Sequence, residues 1–251
     1  MKKIHLFALT TVCLAAGSGM ALAQEESAAE KAPYNFSANV ALVSEYMFRG
    51  LSQTDGQPTI QGGIDFTYDT PSPVDVYLGI WGSGVNFQTP TAGDDATTEF
   101  DLYGGLTGEI EGVTWDLGGI WYTYPGANST LNYDYAEAAV SFGYDFGPAA
   151  ASVGLNYSPE FFANSGDAFY WSGAVDVPLP EGFTLGLHLG YQSIKNNAAF
   201  ALPDYTDWSV ALSKEFMGFG FSLAYIDTDL SEGTCADVCA TKVVGTISKS
   251  F

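Results

Sequence analysis

The stretch Thr59-Ile60-Gln61-Gly62-Gly63-Ile64-Asp65-Phe66-Thr67-Tyr68 decides the class of fold. Ile60, Gly62, Ile64, Phe66 and Tyr68 share one parity, and Thr59, Gln61, Gly63, Asp65 and Thr67 share the other. A period of two belongs to an extended strand with one greasy face and one polar face. Strands of soluble proteins usually run about 5–6 residues. This one reaches the roughly 9–11 that a tilted strand needs to cross a bilayer.

The period continues in both directions. Upstream, Phe36, Ala38, Val40, Leu42, Tyr46 and Phe48 alternate with Ser37, Asn39, Glu45 and Arg49. That predicts a single strand of about a dozen residues running through Arg49. Downstream, similar segments open at Val74, Phe100, Val113, Ala136, Ala151, Phe169, Phe183, Trp208, Phe219 and Val243. The total is about twelve segments, an even number, as a bacterial single-chain barrel requires.

The connections alternate in length. Asp69–Pro73, Glu109–Gly112, Gly147-Pro148, Pro178–Gly182 and Met217-Gly218 are short. Arg49–Pro58, Asn86–Thr98, Pro125–Asp134, Pro159–Ala168, Ile194–Asp204 and Thr228–Ala240 are longer. Outer-membrane barrels have short periplasmic turns and longer outer loops, whereas a soluble sandwich has no reason to sort its connections so. Aromatic residues gather at both ends of the segments. Tyr46, Phe48, Trp121, Tyr122, Tyr124, Trp171, Tyr191 and Tyr225 lie on the long-loop side, and Phe66, Tyr68, Phe142, Tyr144, Phe146, Phe219 and Phe221 on the turn side. They are candidate interfacial girdles. The expected architecture is all-β: a transmembrane up-and-down antiparallel barrel of 12 strands over residues 36–251 in the outer membrane.

Composition narrows the function. Asp+Glu number 29 against 8 Lys+Arg, for a formal net charge of -21. Nucleic-acid binding needs a positive footprint, so that class is excluded. With 47% hydrophobic residues the chain is too apolar to be disordered. Its wealth of Gly, Tyr and Phe does not suit a coiled coil. No stretch past the N-terminus has 18 continuous apolar residues, so helical spans are not expected.

Met1-Lys2-Lys3, the apolar run from Ile4 and the Ala21-Leu22-Ala23 cleavage pattern predict a secretory signal peptide over residues 1–23. A polar leader over 24–35 follows. Cys13 lies within the apolar run, where a lipid anchor would not place it. Cys235 and Cys239, a close pair in an exported chain, predict a loop disulfide. A zinc site is the weaker reading, because the pair has no nearby His or second Cys pair.

Several segments carry a family likeness. Ser44-Glu45-Tyr46, Phe48-Arg49-Gly50, Ser52-Gln53-Thr54, Pro58 and Gln61-Gly62-Gly63 resemble the opening of the proteobacterial TorF porin family. Gly79-Ile80-Trp81-Gly82-Ser83, Asp101-Leu102-Tyr103-Gly104-Gly105 and Tyr122-Thr123-Tyr124-Pro125-Gly126 are also similar to it. The resemblance implies an outer-membrane barrel and says little about substrate.

Parity nominates a pore lining. Asp65, Asp75, Asp101, Asp116, Glu137, Asp145, Asp176 and Glu215 should face the lumen, where carboxylates favour cations. The blander alternative is that they solvate the inner wall or the rim. Arg49 shares parity with Glu45; a structural ion pair between them is the first expectation, a constriction-zone cation the second. His188 has lumen parity and is expected as a packed histidine rather than a catalyst. Asp94-Asp95, Asp227, Asp229 and Asp237 lack EF-hand spacing and read as solvated loop charge. No catalytic, cofactor or metal residues are nominated.

The expected function is passive diffusion of small hydrophilic solutes, with cations or neutral molecules favoured. The expected partners are outer-membrane lipid, the solutes, and the barrel-assembly machinery, for which the terminal Phe251 is a modest signal. The alternatives are a non-conducting barrel acting as adhesin, scaffold or receptor, and, further off, a barrel hydrolase.

Overall fold

A computed structural model describes residues 32–87 and 96–251. The predicted signal peptide, most of the polar leader and Asp94-Asp95 lie outside those residues. Strand β1 (Tyr34–Val43) is followed by a small hairpin of β2 (Met47–Phe48) and β3 (Leu51–Ser52). Then come β4 (Thr59–Tyr68), β5 (Val74–Gly84), β6 (Thr98–Ile110), β7 (Val113–Thr123), β8 (Tyr135–Asp145) and β9 (Ala150–Ser158). The chain finishes with β10 (Ala168–Pro178), β11 (Phe183–Ile194), β12 (Tyr205–Phe216), β13 (Phe219–Thr228) and β14 (Lys242–Ser250). All strands except β2 and β3 form one closed antiparallel barrel, in which β1 closes against β14.

The turns explain why successive strands pair as neighbours. Glu111-Gly112 has φ of 53° and 85°, and Met217-Gly218 has 53° and 72°. A two-residue hairpin needs positive φ at both central positions for its twist to match the strands, and Gly supplies the second at no steric cost. All short turns lie at the end that carries both β1's start and β14's finish. In outer-membrane barrels that end faces the periplasm.

The exterior is apolar along its length. Leu78, Val153, Leu189 and Leu223 are each 59–60% exposed, and Trp171 and Phe142 at opposite ends are 55% and 50% exposed. A soluble monomer does not leave a continuous belt of this kind in water, and a bilayer covers it. No helix among the described residues is long and apolar enough to cross a membrane; the strands do so, with every barrel strand hydrogen-bonded on both sides. The molecule is therefore a 12-stranded transmembrane barrel of the outer membrane.

The start of the chain departs from its sequence expectation. The first strand does not run to Arg49. It ends at Val43, and the chain turns off the wall at Ser44, where Ser44 N donates to Gly245 O at 2.9 Å and Gly245 N donates to Ser44 Oγ at 2.9 Å. Tyr46 and Phe48 hold the parity of lipid-facing residues but point inward. Parity cannot tell the two apart, because the outer half of this barrel packs aromatic rings inside it among its polar groups. Tyr122 and Tyr124 likewise leave the expected outer girdle and are buried inside.

Candidate functional site

The lumen is shaped by the loop that leaves β1. Its hairpin turns at Arg49-Gly50, with φ of 48° and 75°. Arg at positive φ is uncommon and costs about 1 kcal/mol, so the surrounding structure must hold it there. It does. Arg49 Nη2 donates to Glu137 Oε2 on β8 at 2.6 Å, and Nη1 donates to Gln192 Oε1 on β11 at 2.7 Å. Its guanidinium also lies 4.2 Å from the Tyr170 ring centroid and 4.7 Å from that of Phe48. Only 2% of Arg49 is exposed. A charge this deep persists only when paired and hydrogen-bonded, and charge-assisted bonds of this length are the strong kind. The hairpin thus reaches across the lumen and ties β8 to β11.

The expected Glu45–Arg49 pair does not form. Both residues lie off the strand, with the turn at Arg49 directing its side chain across the barrel. Glu45 Oε1 instead accepts from Gly56 N at 3.1 Å and lies 3.4 Å from Lys242 Nζ.

Below and beside the hairpin, tyrosines cross glycines to reach carboxylates. Tyr103 crosses Gly79 and donates to Asp65. Tyr77 crosses Gly105 and Gly118 and donates to Asp116 Oδ1 at 3.0 Å. Tyr170 crosses Gly190 and donates to Asp207 Oδ2 at 3.0 Å. The inward glycines leave the space that these rings fill, the aromatic covering of glycine used in sheets. A Cβ at position 79 would sit 2.3 Å from two Tyr103 ring carbons. Gly79→Ala is expected to push Tyr103 off Asp65 and cost about 1–3 kcal/mol by overpacking, read from the urea midpoint of the vesicle-inserted barrel. An unchanged midpoint would refute the close fit.

Next to the hairpin, register places Trp81, Asp101 and Tyr122 side by side on the inner wall. Each is at most 4% exposed. Trp81 Nε1, Asp101 Oδ1 and Tyr122 OH have no hydrogen-bond partner among the described residues. Neighbouring Glu99 accepts from Tyr46 OH at 2.9 Å. In a dry plug each orphan would cost about 1–3 kcal/mol.

The remaining nominated residues scatter. Asp75 Oδ1 accepts from Thr70 N at 3.1 Å, and Asp145 Oδ1 accepts from Gly147 N at 2.7 Å, so both brace periplasmic turns. Asp176 and Glu215 are exposed at the periplasmic mouth. His188 lies inside, its Nε2 2.9 Å from Tyr170 OH and 3.2 Å from Asp207 Oδ1. Cys235 and Cys239 are disulfide-bonded in the last outer loop. Among the described residues no group of His, Cys, Asp or Glu is placed to hold a metal ion.

Sequence reading missed Glu99, Gln192, Asp207, Tyr170 and Asn156. Asn156 Nδ2 donates to Glu137 Oε2 at 3.0 Å. Glu99 and Asp207 each fall one residue before the apolar alternation begins, in phase with the lumen. Extending each segment by one position at its outer end would have found both.

Geometry and exterior define the class: an outer-membrane β-barrel with a polar interior. The chain belongs to Gcw_chp, a family of bacterial proteins of unknown function, whose model matches residues 27–251. A search among curated proteins finds no match. Among solved structures the chain is similar to the KdgM porin, at 10% identity and a TM-score of 0.52, covering 86% of this chain and 99% of that one. It is also similar to the COG4313 outer membrane channel from Pseudomonas putida F1, at 10% identity and a TM-score of 0.55, covering 91% and 100%. At that identity the likeness is one of fold.

Proposed function

We propose that the protein is a narrow channel for small hydrophilic solutes, favouring cations and neutral molecules over anions. The observation that carries this is the acidic inner wall of the closed barrel, on which Asp65 and Asp116 stay partly exposed. The acids supply the selectivity. Asp65 and Asp116 line the half below the hairpin, Glu99, Asp101, Glu137 and Asp207 the half beside it, and Arg49 is the cation held among them. A low-dielectric wall carrying one sign of charge repels co-ions. The likeness of the opening segment to TorF porins agrees with this reading, as does the fold shared with a porin and an outer membrane channel.

The test is planar-bilayer conductance of the refolded full chain. Small ohmic steps are expected, and in a salt gradient the reversal potential should fall on the cation side. Asp101→Asn should move it towards zero. A reversal potential on the anion side would refute the proposed selectivity.

A second reading has one observation in its favour. The outer half holds packed rings: Tyr122 stacks on Tyr135 at 4.5 Å, Tyr133 on Phe162 at 4.4 Å, and Phe161 meets Tyr135 at 4.7 Å. A barrel so filled could serve as a rigid stand for its outer loops. Absence of conductance, both in the native chain and with the hairpin unseated, would decide for it. For a hydrolase, His188→Ala should abolish turnover of lipid or peptide; with Nε2 held by Tyr170 and Asp207, no such loss is expected.

A further inference from the structure

Among the described residues, the outward-facing positions of the barrel strands carry three charged side chains: Lys214, Lys249 and Asp227. Asp227 sits at the outer end of β13. The two lysines sit together at the periplasmic end, on β12 and β14, either side of β13. Lys214 Nζ lies 4.5 Å from the Phe183 ring centroid. Lys249 Nζ lies 5.0 Å from that of Phe219 and donates to Gly218 O at 2.8 Å. Neither is paired with a carboxylate. Register aligns Lys214 with Phe221 and Ile247, and Lys249 lies two residues beyond Ile247. Strand spacing and rise then separate the two Cα atoms by about 12 Å, within joint reach of two lysine side chains.

Between and above them the wall is hollow. A groove of about 690 Å³ runs up the lipid-facing surface, lined by Leu42, Phe183, Leu212, Phe221, Leu223 and Ile247, with Lys214 at its foot. Its floor includes Gly245, where an added Cβ would meet nothing within 4 Å. Gly245 aligns with Leu223 and so lies deeper in the membrane than Lys214. Acids in the adjoining segments are Glu181, in the β10–β11 turn, and Glu215, whose strand position faces the lumen.

We infer that this face is a binding site for one anionic phospholipid of the periplasmic leaflet. The lysines take its phosphate, and the groove over Gly245 takes an acyl chain. Charge complementarity identifies the occupant. In a chain of net charge -21, anionic lipid is repelled almost everywhere, yet here two cations meet the bilayer interface without an opposing outward acid. Lysine stems lie along apolar surface while the ammonium reaches the headgroup layer, and the flanking phenylalanines suit that depth.

The test is native mass spectrometry of the full chain from micelles holding equal fractions of dioleoyl-phosphatidylglycerol and dioleoyl-phosphatidylcholine. The native barrel should retain one phosphatidylglycerol in preference. Lys214→Gln and Lys249→Gln should each lower that preference about fivefold, the effect of one basic residue near a charged surface. Lys195→Gln, in an outer loop, should leave it unchanged. Gly245→Phe fills the groove with the lysines intact and should reduce retention of the lipid. Heat-modifiable gel mobility confirms that each variant is folded. Equal retention of both lipids by the native barrel would overturn the site. So would an equal effect of Lys195→Gln, or a Gly245→Phe variant that loses a homodimer while keeping its lipid.

Discussion

Arg49→Ala destabilises the barrel by about 3–5 kcal/mol, the cost of leaving one member of a buried ion pair without its partner. Arg49 and Glu137 are 2% and 4% exposed and meet at 2.6 Å. After the substitution Glu137 retains Asn156 as a donor but no cation, and Gln192 Oε1 loses the Arg49 donor. The urea midpoint of the vesicle-inserted barrel measures the effect, with the slope unchanged if the unfolded state is unaltered. Arg49→Met combined with Glu137→Leu should recover most of the loss, since apolar replacement of both members of such a pair is often neutral or better. Arg49→Lys should recover less, because an ammonium cannot present the flat fork that holds Glu137 and Gln192 together. A single-variant loss below about 1 kcal/mol, the level of an exposed pair, would show that the hairpin is not held in place by this contact.

The barrel wall was legible because lipid imposes a strict rule. Outward positions are apolar with few exceptions, so period two survives in each strand, and the alternation of short turns with long loops adds an independent signal. The hairpin was not legible for the same reason. Once the outer half of a barrel is packed, its interior accepts aromatic residues, and Tyr46 and Phe48 then keep the parity of a lipid-facing strand while doing a different job. The Arg49-Gly50 pair held the missing clue. Glu111-Gly112 and Met217-Gly218 are also residue-Gly pairs at two-residue turns, and all three pairs have positive φ at both positions. The acids were placed on the correct face by parity, yet their partners come from distant strands. Asp65 finds Tyr103, Asp116 finds Tyr77 and Glu137 finds Arg49. Those pairings depend on which inward positions are glycine, a property of the closed register that one strand read alone does not contain.

Gly50→Val opens the outer half of the lumen and raises single-channel conductance severalfold. Two penalties act at this position. At φ +75° a β-branched residue is strained wherever it sits. In addition, a Cβ there would lie 2.5 Å from Thr228 Cγ2 and 2.8 Å from Asp207 Cβ. Neither neighbour is the far end of a flexible chain: one is a short β-branched side chain and the other the first atom of its side chain, both anchored to barrel strands. The hairpin must therefore lift from β12 and β13, and Arg49 leaves Glu137 with it. Gly56→Val is the matched control. Its φ of +74° carries the same backbone strain, and an added Cβ meets nothing within 4 Å. Both variants lose stability, but only Gly50→Val should widen the passage. With Arg49 withdrawn, Asp101, Glu137 and Asp207 stand without their central cation, so cation preference should also increase. Equal conductance in the two variants and the native chain would mean that the hairpin does not limit flux, and the constriction would then have to lie with the packed rings of Tyr122, Tyr135 and Phe161.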